Sequence, residues 1–445
     1  MRVLMFGWEF PPFISGGLGT ACHGLTKALS RSDVSVTFVL PTTIDPKHPS
    51  HVRLLGMSSP RSVKGEDKTL LSDADLTNVT FRRVPSRIAS PYQSASGQLR
   101  EGWVGAPDIL DELDLSPSDR NDDPPSGGGR YEGDLIGESQ RYAAKCVDLA
   151  RHENFDVVHA HDWLTFPAGL AVAAAYGKPL VVHVHSTEFD RAGEDIHQQV
   201  YDVERRGMHA AMRVVAVSHL TAAIIEHRYA VDPTRIEVIY NGIDNGDPDN
   251  GQRPRTAIRR GDKVVLFLGR ITMQKGPEYF VMAAKKVLEK IANVKFVMAG
   301  TGDKIQDIIE LAAREGIGHR VLFTGFLRGE DVNRVYRMAD VYVMPSVSEP
   351  FGIAPLEAIR HDVPVIISKT SGVAEVLSHA LKVDFWDTDE IANKIIAVLK
   401  HPPLSSTLRE HADIEVRRLT WDDAAQKCRS VYEALIGIAP AMASS

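Results

Sequence analysis

The sequence predicts an α/β protein built as two Rossmann-like, doubly wound parallel-sheet domains facing each other across a cleft. Three observations carry that expectation. Short β-branched apolar runs alternate with segments of helical period along most of the chain. The pattern lapses in a polar, Gly/Pro/Arg-rich stretch at 246–261 and restarts beyond it. The length, 445 residues, is too great for one ordinary core.

Arg2 to Phe6 reads as a buried first strand that breaks at Gly7. The turn Pro11-Pro12-Phe13-Ile14-Ser15-Gly16-Gly17-Leu18-Gly19-Thr20 leads into Ala21, Leu25, Ala28 and Leu29 at helical spacing, and Val34 to Leu40 closes a βαβ unit. Its glycines do not match G-x-G-x-x-G, which disfavours a dinucleotide-dependent enzyme. Backbone without Cβ atoms at a helix N-terminus can still approach a diphosphate. Residues 57–133 form a variable insertion, with short strands expected near Leu54 and over Val79 to Val84. Its polar run from Ser116 to Gly129 predicts a mobile loop, either an acceptor lid or a family-specific insertion.

Regular alternation returns with a helix from Gly137 to His152, a strand from Val157 running into Asp162-Trp163, a helix from Ala168 to Tyr176 and a strand from Leu180 to His185. Val214 to Val217 enters a helix through Ser218 and Thr221, and Ile236 to Tyr240 ends in the turn Asn241-Gly242, completing a first domain over 1–245. After the linker, strands are expected over Val264–Leu268, Lys295–Ala299, Val321–Thr324, Val341–Met344 and Val365–Ser368. Helices are expected over Glu278–Lys290, Asp303–Arg314, Asp331–Met338 and Asp389–Lys400, giving a second domain over 262–420. Residues 421–445 are expected to form a helix that returns to the first domain.

Hydrophobic content of 43% and charged content of 24% describe a globular chain, and a net charge of −7 argues against nucleic acid or an anionic membrane as the main partner. Cys22, Cys146 and Cys428 are too scattered for a disulfide framework or a zinc site and read as core thiols of a reducing compartment. The start, MRVLMFGWEF, lacks the marks of a secretory signal, and no apolar run approaches the ~20 residues of a membrane span. The cytoplasm is the expected location.

The chemistry concentrates in one stretch. The strand Val341–Met344 stops at Pro345; Ser346, Ser348 and Glu349-Pro350-Phe351-Gly352 follow; Ile353, Leu356, Ala358 and Ile359 then open a helix whose first turn accommodates Pro355. Unpaired amides and the positive end of the helix dipole favour an anion there. A carboxylate would repel that anion, so Glu349 and Glu357 read as acceptors for hydroxyls on either side of it. Sugar hydroxyls, pyrophosphate and ribose hydroxyls have that layout, and the ligand expected is a nucleotide sugar. Arg270 and Lys275, in a short turn after a strand, supply charge that can clamp a diphosphate. A two-carboxylate glycoside hydrolase is disfavoured, because a loop residue and a helix residue split by a phosphate site do not face each other across one sugar.

His161 and His185 fall near the carboxyl ends of strands, where open α/β sheets bind ligands. His159 and His183 are expected on the sheet faces opposite their partners. Trp163 either stacks on a sugar or packs, and the turn Ser371-Gly372-Val373-Ala374-Glu375 has a supporting role. Asp73 and Asp75 have the D-x-D spacing of metal-dependent transferases but lie outside the strand ends, and read as surface charge. No metal and no cofactor are expected.

Four motifs, PPFISGGLGT, HAHDWLT, FLGRITMQKGPEYF and EPFGIAPLE, together resemble the retaining GT-B glycosyltransferases of families 4 and 5, of the bacterial glycogen/starch synthase type. The resemblance covers nearly the whole chain outside 57–133. It implies transfer of glucose from ADP-glucose or UDP-glucose to the non-reducing end of an α-1,4-glucan, with the first domain on the acceptor side and the second binding the donor. Arg270 and Lys275 would hold the donor diphosphate, Glu349 the sugar 3-hydroxyl, the amides of Phe351 and Gly352 sugar and phosphate, and Glu357 the ribose. Gly17 would let the N-terminal loop close over the phosphates, and His161 would meet the sugar 6-hydroxyl. The base would lie near Gly302 and the turn Thr324-Gly325-Phe326-Leu327. Apart from the resemblance, His185 reads from its place at a strand end as a contact to the acceptor or the sugar. Where the family reads I-H-N, this chain has Val184-His185-Ser186, which leaves the acceptor open. A family 4 transferase with a small-sugar, sugar-phosphate or lipid-linked acceptor is the alternative, and a non-catalytic nucleotide-sugar-binding protein a second. Domain closure is expected, because donor contacts and His161 come from different domains.

Overall fold

Runs such as Val157-Val158 and Val264-Val265-Leu266 are apolar at consecutive positions, as suits strands covered on both faces by crossover helices. Every strand pairing among the described residues is parallel. The computed structural model describes residues 1–10, 16–43, 78–86, 135–244 and 262–442. They divide into two units: one from the described residues of Met1–Pro91, Gly133–Asp244 and Leu419–Ser445, the other from those of Asn245–Arg418. Leu54, Asp73, Asp75, the Ser116–Gly129 run and the linker 246–261 lie outside the described residues, as do Pro11 to Ser15.

The first unit runs β1 (Arg2–Phe6), α1 (Gly17–Arg31), β2 (Ser35–Thr43), β3 (Val79–Ser86), α2 (Leu135–Ala150), β4 (Val157–His161), α3 (Phe166–Tyr176), β5 (Leu180–Val184), α4 (Glu188–Ala192), α5 (Gln198–Ala210), β6 (Arg213–Ala216), α6 (His219–Tyr229) and β7 (Ile236–Val238). Its strands form one sheet in the order β3-β2-β1-β4-β5-β6-β7, so the winding direction reverses between β1 and β4. The second unit runs β8 (Lys263–Leu268), α7 (Pro277–Leu288), β9 (Val294–Ala299), α8 (Ile305–Arg314), β10 (Val321–Gly325), α9 (Glu330–Met338), β11 (Val341–Met344), α10 (Ile353–Arg360), β12 (Val365–Ser368), β13 (Leu381–Val383), α11 (Thr388–Lys400) and α12 (Pro402–Val416). Its order, β10-β9-β8-β11-β12-β13, reverses between β8 and β11. Phe267, Phe280, Phe296, Met298, Val343, Ile366 and Ile395 form its buried core.

The last helix, α13 (Trp421–Met442), belongs to the first unit and packs on α1 and β4. The Ile243 N–H donates to the Leu419 carbonyl at 2.9 Å, which fixes where this helix begins. The Trp421 indole lies over Gly24 so closely that a Cβ at 24 would sit 2.2 Å from the ring. Cys22, Cys146 and Cys428 are buried free thiols. Among the described residues, no helix is long and apolar enough to cross a membrane.

Because the indole and α1 leave no room between them, Gly24→Ala is expected to cost about 1–3 kcal/mol by overpacking. Denaturant unfolding of the two proteins measures this, and an unchanged midpoint would show that α13 does not seat as described.

Candidate functional site

In an open parallel sheet, ligands bind outside the carboxyl ends of the strands where the winding direction reverses. In the second unit those strands are β8 and β11, and the loops that follow them are joined. The N–H of Val347 donates to the Gln274 carbonyl at 2.9 Å. The Lys275 ammonium donates to Glu349 Oε2 at 2.5 Å, and the Ser346 hydroxyl reaches the same oxygen at 3.3 Å. Gly276 makes this contact possible: its φ is 61°, and a Cβ there would lie 2.2 Å from the Pro345 carbonyl oxygen. Glu349 is also pinned through its backbone, its N–H donating to Thr370 O at 3.0 Å and its carbonyl accepting from Gly372 N–H at 2.9 Å. The Ser371–Glu375 turn therefore braces the glutamate loop. Arg270 is exposed and donates to Gln274 Oε1 at 3.3 Å.

The helix α10 starts after Gly352, at φ 103°, and its first-turn N–H groups have no acceptor within the helix. Phe351 and Gly352 are thus at the positive end of a helix dipole, beside the Lys275–Glu349 pair. Glu357 lies in the second turn, part-buried, and accepts from the Tyr336 hydroxyl at 3.0 Å. Burial pushes its carboxyl above the usual range, and the Tyr336 bond opposes this. Gly302 follows β9 and Gly325 ends β10, so both are at the same sheet edge. Leu327 is buried, and Phe326 is half-exposed with the Arg328 guanidinium 5.3 Å from its ring centre. The edge therefore holds Arg270, Lys275, Gly302, Gly325, Leu327, Glu349, Phe351, Gly352 and Glu357.

Gly17, His161 and His185 belong to the first unit. There the reversal lies between β1 and β4, and β4 ends on His161. Gly17 is exposed at the first position of α1, with no atom within 4 Å of an added Cβ. Asp162 follows His161 at φ 58°, and its Oδ1 accepts from the N–H groups of His185 at 2.7 Å and Ser186 at 3.3 Å. His161 Nδ1 and His185 Nε2 share a hydrogen bond of 2.9 Å. Trp163 is packed at 1% exposure, which settles its role as a core residue.

The histidines correct one expectation. His159 and His183 lie on the same face as His161 and His185, not opposite, because residues two apart in a strand point the same way. All four rings stack, with centroids 4.4 Å apart for His159 and His161, 5.1 Å for His161 and His183, and 4.2 Å for His183 and His185. Tyr432 of α13 reaches His159 Nδ1 at 2.5 Å. Two overlapping sets, His159/His161/His183 and Cys22/His161/His185, bring ligand atoms within 4.8 Å of one another. Ring nitrogens bind metals in the plane of the ring, and the rings of the first set are stacked within 16–27° of parallel, so their lone pairs do not converge. In the second set the two histidines spend a nitrogen each on one another.

Burial and neighbouring rings hold His159, His161 and His183 well below the usual histidine range, and burial takes His185 down to about 3. Burial also pushes the Asp162 carboxyl up to about 7, against the pull of Arg191. Arg191 pairs with Glu188 at 3.2 Å and with Glu204, and donates to the Ser186 carbonyl at 3.1 Å. This buried network anchors α4 behind the His185 loop. Asp162, Gln274, Tyr336 and Tyr432 are residues of the two edges to which sequence reasoning gave no role. Asp162 and Gln274 had a visible signal, their places inside HAHDWLT and FLGRITMQKGPEYF.

The four imidazoles make acid the weak side of the fold. Each is neutral when folded and binds a proton near pH 6.5 when unfolded, so the contribution of the four rings is full above 6.5 and falls as pH drops below it, opposed in part by the raised Asp162 carboxyl, which acts in the other direction. Replacing His183 by Asn is expected to flatten the stability curve below pH 6.5 by about 1.4 kcal/mol per pH unit. Denaturant titrations at several pH values check this; parallel curves for the two proteins would contradict it.

Comparison with known proteins bears on both units. A family described as Glycosyl transferases group 1 matches residues 249–414, Glycosyltransferase Family 4 matches 124–246, and Starch synthase catalytic domain matches 2–85. The chain is 26% identical to a glycogen synthase of Mycobacterium tuberculosis over 97% of this chain and 94% of that one. It is 30% identical to a D-inositol 3-phosphate glycosyltransferase of Salinispora tropica over 65% of each. Its fold matches sucrose-phosphate synthase from Thermosynechococcus elongatus with a TM-score of 0.74 at 20% identity, over 98% of this chain and 99% of that one. Two Rossmann-like parallel-sheet units give the chain the GT-B fold, and it carries a family 4 glycosyltransferase domain over 124–246 and a group 1 glycosyltransferase domain over 249–414.

Proposed function

We propose that the protein is a retaining glucosyltransferase that moves glucose from a nucleoside-diphosphate glucose to the non-reducing end of an α-1,4-glucan. The observation that carries this reading is the Lys275–Glu349 pair at the N-terminus of α10, where a cation, a carboxylate and the positive end of a helix dipole meet at one sheet edge. Lys275 spends one of its three N–H donors on Glu349 and keeps two for phosphate oxygens. Arg270 adds a second cation. Glu349 accepts from a sugar hydroxyl, and Glu357, beside Tyr336, accepts from the ribose. His161, held neutral, contacts the sugar 6-hydroxyl.

In this reaction the bond from the anomeric carbon to the phosphate oxygen breaks, and a bond to the acceptor oxygen forms on the same face. The acceptor proton passes to the departing phosphate oxygen. The protein stabilises the charge that grows on the leaving diphosphate, through Lys275, Arg270 and the helix amides, and supplies geometry rather than a nucleophile. No cofactor is required. The α-glucan acceptor is supported by the glycogen synthase relative, which aligns over nearly its whole length. A phosphorylated polyol or sugar acceptor is the second reading, favoured by the higher identity to the D-inositol 3-phosphate glycosyltransferase.

Radiolabelled ADP-, UDP- and GDP-glucose, each offered with glycogen, maltose, fructose 6-phosphate and inositol 3-phosphate, test the proposal. Label is expected in glycogen, and Lys275→Ala or Glu349→Ala is expected to lower its transfer by on the order of 10²-fold or more while unfolding stays cooperative. Label in a phosphorylated acceptor would select the second reading. Absence of turnover together with absence of thermal protection by any donor would overturn the donor site.

A further inference from the structure

We infer that His185 is a positioning residue for His161, fixing which nitrogen of that imidazole is offered to substrate and whether it donates or accepts. The inference rests on the reading of His161 as a substrate contact. It replaces the acceptor-facing role that sequence position alone gave His185.

The geometry immobilises His161 from several sides. Its carbonyl accepts from the Thr165 hydroxyl at 2.7 Å, its ring lies 4.4 Å from that of His159, and His159 is in turn held by the Tyr432 hydroxyl. Its Nδ1 is bonded to His185 Nε2. The remaining nitrogen, Nε2, is buried and makes no hydrogen bond among the described residues. The backbone of His185 is itself fixed, because Asp162 Oδ1 accepts its main-chain N–H and that of Ser186, while Arg191 holds the Ser186 carbonyl.

A neutral imidazole carries one N–H and one lone pair. Engaging Nδ1 therefore decides the character of Nε2: if Nδ1 donates to His185, Nε2 is an acceptor, and if Nδ1 accepts, Nε2 is a donor. Because His185 is also an imidazole, the bond couples the two rings: one donates where the other accepts, so their tautomers are matched and the His161 ring is held against flipping. Without His185, both tautomers and a flipped ring become available to His161, and only part of the population presents the productive nitrogen.

The test uses the full-length protein with 15N-labelled histidine. The ring nitrogen shifts of His161 are expected to show one dominant tautomer in the wild type, a mixture in His185→Ala, and one dominant tautomer again in His185→Gln, whose amide can reach the same position. In the transfer assay, His185→Ala is expected to lower kcat by on the order of 10²-fold with the acceptor KM unchanged, and His185→Gln to recover most of the loss. Unchanged His161 shifts in His185→Ala would overturn the inference. A raised acceptor KM at unchanged kcat would also overturn it and make His185 an acceptor contact. A wild-type protein with no transfer would defeat the function proposed above, while the nitrogen shifts still decide the His161–His185 coupling.

Discussion

The ion pair between Lys275 and Glu349 joins residues 74 apart in the chain, and it exists because β8 and β11 are neighbours in a parallel sheet. Parallel strands leave the sheet on the same edge, so the loops after β8 and β11 meet there whatever the length of chain between them. Backbone contacts then set the pair to within hydrogen-bond reach: Val347 on Gln274, Gly276 against Pro345, and Glu349 laced to Thr370 and Gly372. With side chains only 19% and 10% exposed, each charge depends on the other, since either alone would be a poorly solvated ion. The neighbouring start of α10 adds a third, fixed source of positive potential.

The two sheet edges differ in electrical character. That of the second unit carries full charges, Arg270, Lys275 and Glu349, suited to a diphosphate and the hydroxyls beside it. That of the first unit carries four imidazoles that burial keeps neutral, and an Asp162 carboxyl pushed up to about 7. Neutral rings suit hydroxyl groups, which need one donor or one acceptor at a set point and no net charge. The orientation of such rings has to come from hydrogen bonds, and the chain supplies these from distant places: Asp162 through the His185 amide, Tyr432 through His159, and Arg191 through Ser186.

Much of this was legible from residues alone. Arg2–Phe6, Val341–Met344 and Val365–Ser368 are strands over the same residues that their apolar runs indicated, because β-branched runs bounded by Gly or Pro leave few alternatives. The Pro345–Glu357 stretch announced its strand–loop–helix order, with Glu349 in the loop and Glu357 in the helix, through its glycine and prolines. Other features gave no such signal. The five residues of α4 are mostly charged and are held by a Thr187 capping box and a buried ion network that only tertiary structure creates. The start of α12 at Pro402-Pro403 resembles a break but is a first helical turn, where proline is tolerated. The stacking of His159 on His161 follows from strand period once the period is applied correctly. Tyr432, 273 residues from His159, could be placed only by the folded chain.

The central claim is that a nucleotide sugar binds at the edge formed by the loops after β8 and β11. Hydrogen–deuterium exchange of the full-length protein, with and without saturating ADP-glucose or UDP-glucose, addresses it directly. The account predicts slowed exchange in two segments, 269–276 and 345–357, with the amides at the start of α10 among the most protected. Unchanged exchange in both segments while either donor is demonstrably bound would contradict it.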